Sequence, residues 1–275
     1  MKNFILNNGM EIPWIGLGTY PMQNEECEIA VKMAAKNGYT LFDSSASYRN
    51  AVELGGALRK SFSKRSDYIV MTKLANSQQR MGNVKRALID SLRFLGMDYV
   101  DLYLLHWPHP GTYIECYQQM EELMKEGLIR AIGVSNFHEH HLKELLQYAS
   151  VVPAVNQIEL HPLLNQNNLV AYCKKKGIQI VSYSPFARMH ESLISNSTLG
   201  HIADKYDVRV TQVIIRWNYQ HGYVVIPKSA NKARQLENIS VSNFILSEEE
   251  MNQIDDCNQN FRVRYNPDTC DYTKL

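Results

Sequence analysis

YIVMTK at residues 68–73, NVKRALIDSLRFLG at residues 83–96 and VDLYLLHW at residues 100–107 together decide the fold. The first and third are short runs, apolar at nearly every position, as strands buried on both faces are. The middle run has helical periodicity and stops at Gly96, where a left-handed residue closes a helix well. A buried strand, a helix and a second buried strand point to a parallel pair joined by a right-handed crossover.

The same alternation extends outward in both directions. IGLGT, LFD, RAIGVS, AVNQIEL, QIVSYS and YVVIPK read as further strands. Helices are expected over 25–37, 52–62, 114–125, 140–148, 168–176, 199–206, 211–221 and 232–238. Gly38, Gly127, Gly177 and Gly222 supply further stops of the Gly96 kind. Eight strand-helix units in 275 residues favour a closed (β/α)8 TIM barrel in the α/β class over an open sheet, as a single domain over 1–275. Before the barrel, FILNNGMEI alternates around Asn8-Gly9 and predicts an N-terminal β-hairpin whose two turn residues tolerate positive φ. After it, Ser247 with Glu250 three residues on forms a capping box for a last helix. The aperiodic tail FRVRYNPDTCDYTKL is expected as a C-terminal loop over the active-site face.

Lys and Arg number 29 against 28 acids, so no global field draws nucleic acid or an anionic membrane. Five cysteines, odd in number and without a C-x-x-C pair, argue against a disulfide framework and a zinc site and fit a reducing compartment. No run of about 18 apolar residues could span a bilayer, and the N-terminus breaks at Asn-Asn-Gly before a signal-peptide core. A cytoplasmic location is expected, with no nucleic-acid or membrane partner.

Asp43, Lys73 and His106 end three successive strand runs, and Tyr48 lies five residues past Asp43. In a parallel barrel all such ends meet at one mouth. An acid, an amine, an imidazole and a phenol gathered there read as a catalytic set.

LFDSSASY, MTK, YLLHWP, IGVSNF, NQIE, SYSP and IPKS, in that order, closely resemble the aldo-keto reductase superfamily, specifically its short, bacterial-type NADPH-dependent members. The resemblance runs from about Gly16 to the tail. It implies reduction of aldehydes or ketones to alcohols, with Tyr48 as proton donor. Carbonyl reduction needs a hydride on carbon and a proton on oxygen, and a free tyrosine titrating near ~10 is a weak acid for that task. The Lys73 ammonium is therefore expected to lower the Tyr48 pKa, with Asp43 holding the lysine and His106 polarising the carbonyl. One departure stands out: Tyr48-Arg49-Asn50 leads to Ala51 where relatives often carry glutamate, with Glu53 two residues on.

Gly16-Leu-Gly18 lacks a third glycine and a helix start, so no Rossmann turn is supported. The resemblance implies instead NADPH or NADP+ extended across the barrel mouth. Gly18, Thr19 and Asp43 would lie along it. Ser135, Asn136 and Gln157 would hold the carboxamide, Tyr183 would stack on the nicotinamide, and Ser184, Pro185 and Phe186 would border the pyrophosphate. Lys228 and Ser229 end a strand just before the helix that carries Arg234, so cations and helix N–H groups converge where an anion belongs. By resemblance that anion is the 2′-phosphate, with Ala230 beside it and Glu237 and Asn238 near the adenine. The two cations favour NADPH and leave NADH as the weaker alternative.

A small-molecule carbonyl substrate would meet Tyr20, Tyr48, His106 and Trp107, with the segments 109–113, 186–192 and 262–272 as further walls. Aromatic walls suit small or flat carbonyl compounds. His138-Glu139-His140-His141 is not H-E-x-x-H, because Leu142 stands where the second histidine is required; a polar first turn of a helix is expected there, and no metal. A non-catalytic NADPH-binding redox sensor or structural protein on the same barrel is the alternative reading, and a monomer is the expected state.

Overall fold

The computed structural model describes residues 1–274. It begins with an antiparallel pair, β1 (Phe4–Ile5) and β2 (Glu11–Ile12). The turn differs from the two-residue form expected at Asn8-Gly9. Gly9 alone in the loop takes positive φ, +84°, while Gly9 N–H donates to Leu6 O and Leu6 N–H to Met10 O, each at 2.9 Å. The loop is thus a three-residue type I turn closed by a left-handed glycine. Asn8 instead uses its side-chain oxygen to accept the Met10 N–H at 3.1 Å.

The barrel strands are β3 (Leu17–Gly18), β4 (Leu41–Asp43), β5 (Ile69–Leu74), β6 (Val100–Leu105), β7 (Ile129–Ser135), β8 (Val155–Glu159), β9 (Gln179–Tyr183) and β10 (Val224–Val225). They pair in chain order, each parallel to the next. The sheet closes on itself where Ile15 bridges Val225 and Gly16 N–H donates to Val225 O at 2.9 Å. Gly18 lies on this seam, where a Cβ would stand 2.8 Å from the Ile226 carbonyl oxygen, so only glycine allows the approach. β10 is shorter than the YVVIPK run because Pro227 has no N–H to extend the ladder, although Ile226 N–H still donates to Ser182 O at 3.0 Å.

Every expected helix is present. In chain order the helices are α1 (Asn24–Lys36), α2 (Ala51–Ser61), α3 (Asn76–Met81), α4 (Val84–Leu95), α5 (Tyr113–Lys125), α6 (Glu139–Tyr148), α7 (Asn167–Lys175), α8 (Glu191–Ile194), α9 (Ser197–Tyr206), α10 (Val210–Gln220), α11 (Lys232–Ile239) and α12 (Glu248–Asp255). Ser247 caps α12 through the expected reciprocal bonds with Glu250. Two short helices, α3 and α8, were not expected.

Strand alternation divides the core in two. Leu41, Met71, Leu102, Leu104, Val155, Val181 and Val224 fill the barrel, and Leu6 and Ile12 of the hairpin plug one end. Phe42, Val70, Tyr103, Leu105 and Ile180 face outward to the helices. Because side chains alternate with period two, the next inward positions after Leu41, Met71, Leu104, Val155 and Val181 are Asp43, Lys73, His106, Gln157 and Tyr183. The apolar fill of the barrel therefore ends in a polar layer at the strands' C-terminal ends, the face on which barrels do chemistry.

The tail crosses that face. Val263 and Arg264 donate their N–H groups to the Glu159 carboxylate at 2.6 and 3.0 Å. The Tyr265 ring stands 6.4 Å from that of Trp107, and Tyr272 5.7 Å from His109. All five cysteines are free. No helix among the described residues is long and apolar enough to cross a membrane.

Candidate active site

Lys73 is fully buried at the end of β5, and its charge is met from three sides. Its Nζ lies 2.6 Å from Asp43 Oδ1, 2.8 Å from the Ser44 carbonyl oxygen and 3.5 Å from Tyr48 Oη. The Tyr48 ring meets the His106 ring edge to face, with centroids 5.8 Å apart. All four residues of the sequence set thus converge.

Local structure explains how Tyr48 reaches the lysine from outside the strands. It sits on a 3₁₀ turn, Ala46–Tyr48, capped by Ser45, and Arg49 then takes φ +55° to turn the chain into α2. Asn50 does not cap α2 with its side chain. Its amide donates instead to Met22 O (2.9 Å) and Thr19 Oγ1 (3.1 Å), and its oxygen accepts from Ser44 Oγ (2.8 Å). Buried Asn50 therefore staples the catalytic loop to the segment after β3, so the loop is fixed without a glutamate at position 51.

Electrostatics differ from the expectation at one point. The Tyr48 phenol stands well above its ordinary value, first because it is buried, then because the Asp43 carboxylate is near; Arg264 is the group that pulls it down. The Lys73 charge is shared with Asp43 and the Ser44 carbonyl, so it does not offset the burial of the phenol. Burial lowers the Lys73 pKa and raises that of Asp43, while their mutual attraction opposes both shifts. Burial, then the cations Lys73 and Arg264, hold His106 well below the usual imidazole range. Tyr48 is accordingly protonated and His106 neutral around neutral pH.

Ser45 had not been singled out in the sequence, yet its Oγ lies 3.1 Å from His106 Nδ1. With that hydroxyl donating to Nδ1, the ring proton sits on Nε2. Asn136 also fixes the histidine strand, donating to His106 O at 3.0 Å.

The expected nicotinamide residues form one connected group. Gln157 donates to Asp43 Oδ1 at 2.8 Å, Tyr183 OH to Asn136 Oδ1 at 2.6 Å, and Asn136 to Ser135 Oγ at 3.2 Å. Asn136 and Ser184 both take positive φ, +64° and +48°, a strained conformation that collects at functional sites. Thr19 is buried and donates to Asp43 O at 2.8 Å, while Gly18 serves barrel closure.

A cavity of about 730 Å³ opens beside this group, lined by Phe186, Lys228, Ser229, Ala230, Arg234, Glu237 and Asn238. Its lining thus includes every residue expected at the adenosine end. Arg209 and Asn231 were missed: Arg209 pairs with Glu237 at 3.3 Å, and Asn231 caps α11 by accepting the Arg234 N–H. Lys228 lies 3.6 Å from Glu26, whereas no carboxylate among the described residues pairs with Arg234.

His138, His140 and His141 gather around Asp268 of the tail, with ligand-type atoms of the last three within 4.8 Å of one another. His141 Nδ1 accepts the His138 backbone N–H at 3.1 Å, which places its proton on Nε2. His138 bridges the tail: its Nδ1 is 2.8 Å from Asp268 and its Nε2 3.1 Å from Arg262. The motif is the polar first turn of α6, as expected, and it latches the tail.

A closed barrel with a buried amine, carboxylate, phenol and imidazole at its mouth, and a cavity lined by Lys228 and Arg234, has the make-up of a barrel oxidoreductase. The sequence model of the aldo/keto reductase family matches residues 14–259, and the chain belongs to that family. It is 44% identical over 264 residues to the glyoxal reductase of Bacillus subtilis, covering 96% of this chain and 95% of that protein. It is 40% identical over 265 residues to the methylglyoxal reductase DkgA of Escherichia coli K12, covering 96% of each. An aldo-keto reductase from a Medee basin deep-sea metagenome superposes with a TM-score of 0.95 at 40% identity, covering 98% of this chain and 100% of that one. Another, crystallised with NADPH, gives 0.90 at 34% identity, covering 96% and 89%.

Proposed function

We propose that the protein reduces aldehydes or ketones to alcohols with NADPH, with Tyr48 giving the proton. The observation that carries this reading is the buried Lys73 amine, 2.6 Å from Asp43 and 3.5 Å from Tyr48 Oη. A carbonyl oxygen at the mouth would accept hydrogen bonds from Tyr48 and from the His106 Nε2–H. As negative charge grows on that oxygen, the Tyr48 proton moves to it, and the phenolate left behind gains the Lys73 cation as a neighbour. That cation thereby stabilises the product state more than the resting phenol, which suits a group protonated before the step.

The residues present fit the dinucleotide. Arg234 and Lys228 line the large cavity together with Asn238, and among them Arg234 has no carboxylate partner among the described residues. When bound, NADPH supplies the hydride. Tyr183 would place the nicotinamide, and Lys228 and Arg234 would select the 2′-phosphate. Glyoxal and methylglyoxal, the substrates named for two relatives, are the first compounds to test.

Aldehyde-dependent NADPH oxidation, followed by absorbance, tests the reading. Tyr48→Phe should lower kcat/KM by roughly 10²- to 10⁴-fold, the span of general acid catalysis, with NADPH affinity nearly unchanged. Near-normal turnover in that variant would refute the role. Lys228→Ala and Arg234→Ala should each weaken NADPH by about tenfold or more, as loss of a charged hydrogen bond does, and NADH far less. Equal losses for both cofactors would show the anion site to be misplaced.

A further inference from the structure

Arg264 brings a positive charge to the mouth that aromatic rings, and no carboxylate or hydrogen-bond acceptor among the described residues, meet. Its backbone is fixed, because the N–H groups of Val263 and Arg264 are bound by Glu159 at the end of β8. Glu159 is itself buried and lies 3.1 Å from His161 Nε2. From this anchor the guanidinium of half-buried Arg264 makes cation–π contacts, 5.7 Å from the centre of the Tyr20 ring and 5.4 Å from that of Tyr265. Tyr20 is 5.0 Å from the Tyr48 ring, and Tyr265 is 6.4 Å from Trp107. The cation therefore lies between Tyr20 and Tyr265, beside rings expected to wall the substrate site, and none of these rings lines the Lys228–Arg234 cavity.

The neighbouring arginine shows what a satisfied guanidinium looks like here: Arg262 donates to His138 Nε2 at 3.1 Å and Gln166 Oε1 at 3.0 Å. Among the described residues Arg264 has neither a carboxylate partner nor a hydrogen-bond acceptor for its guanidinium. Its charge is nonetheless felt at the reacting centre, where it pulls down the pKa of Tyr48, His106 and Tyr183. Partial burial of an arginine without an acceptor costs free energy that an anion would restore, and its planar fork matches a carboxylate in two parallel bonds.

We infer that Arg264 is a specificity-determining residue that takes the carboxylate of an anionic substrate, so that the site favours oxo-acids over neutral carbonyl compounds of the same size. The carboxylate would lie several bonds from the carbonyl, across the Tyr20 ring from Tyr48. This rests on the reductase reading above and adds a substrate class to it.

The test compares para-carboxybenzaldehyde with para-carbamoylbenzaldehyde, a charged and a neutral substrate of one shape, using NADPH and the full chain. The acid should be preferred by roughly 10- to 100-fold in kcat/KM, the worth of a charged hydrogen-bonded contact, chiefly through KM, and added salt should shrink the preference. Arg264→Gln should bring the ratio close to one, and Arg264→Lys should keep part of it. Benzoate against benzamide as inhibitors of the unaltered protein gives the same comparison without a substitution, with benzoate expected to be the stronger. A ratio near one in the unaltered protein, or a preference that survives Arg264→Gln, overturns the inference. Failure of the reductase reading looks different: neither aldehyde would then consume NADPH, and the inference would fall with it.

Discussion

Ser45 is placed to engage one nitrogen of His106 and leave the other for the substrate. Its hydroxyl is the side-chain partner of Nδ1, at 3.1 Å, and without it the neutral ring is free to carry its proton on either nitrogen. Ser45→Ala should lower kcat/KM for methylglyoxal by roughly threefold to tenfold, the worth of one neutral hydrogen bond, and Ser45→Thr should restore part of the loss. A rate equal to that of the unaltered protein would show that the tautomer is set elsewhere. The contrast with Asp43, Lys73 and His106 shows what a sequence reveals at this scale. Those three end apolar strands, and the period of two carries them inward after Leu41, Met71 and Leu104. Ser45 stands two residues beyond its strand, where the direction of its side chain depends on the 3₁₀ turn and on Asn50 contacts reaching back to Thr19 and Met22. No local spacing encodes that. The same holds for Tyr48, whose position was legible but whose raised pKa was not, because burial outweighs a cation already paired with Asp43.

At the scale of elements, α2 carries two adjacent glycines that the structure treats differently. A Cβ on Gly55 would overlap the Leu95 carbonyl oxygen, far inside van der Waals contact, where α2 crosses the end of α4, whereas a Cβ on Gly56 meets nothing within 4 Å. Gly55→Ala should therefore cost about 1–3 kcal/mol or more through overpacking, lowering Tm by several degrees. Gly56→Ala should be neutral or stabilising by about 0.5–1 kcal/mol, since alanine favours a helix interior. Thermal unfolding of the two variants side by side checks this, and equal Tm changes would mean that the crossing can open. Most of the ten expected helices were legible because they bury an apolar stripe and stop at a glycine or a cap, whereas α11 buries Gln235 and Asn238. α3, with the sequence NSQQRM, has no such stripe. It is held by buried Asn76 and Gln79, whose amides turn inward, Gln79 donating to Trp107 O at 3.2 Å. The hairpin turn was misread because Asn8 met the Met10 N–H with its side chain instead of adopting positive φ.

Across the whole molecule, the tail is tied to the barrel at two places that respond differently to acid. Glu159 holds the backbone of Val263 and Arg264 from a fully buried position. The second tie is the histidine latch on α6. There His138 spans Arg262 and Asp268, and His140 and His141 lie 3.5 and 4.0 Å from the same Asp268 carboxylate. Burial lowers the pKa of His138 despite the pull of Asp268 the other way, with Arg262 and His140 adding to the fall. His141 is lowered to about 4, first by burial and then by His140, with Asp268 and Glu144 opposing. Both rings are thus neutral when latched, and a released or unfolded chain takes up protons at a higher pH than the latched one. The sign follows: the latch contributes fully above the ordinary imidazole value of ~6.5 and weakens progressively as pH falls toward about 4, where His141 titrates in place. A protonated His138 has no lone pair left for the Arg262 donor and repels it instead. Amide hydrogen exchange over residues 262–272, compared at about pH 7.5 and about pH 5 after correction for intrinsic rates, should show protection falling in acid. The barrel strands should keep theirs. His138→Gln, which cannot gain a proton, should flatten the change in the tail, and substrate preference set by Arg264 should loosen in parallel in the unaltered protein. Protection that is constant or rises between those pH values would mean that Glu159 alone holds the tail.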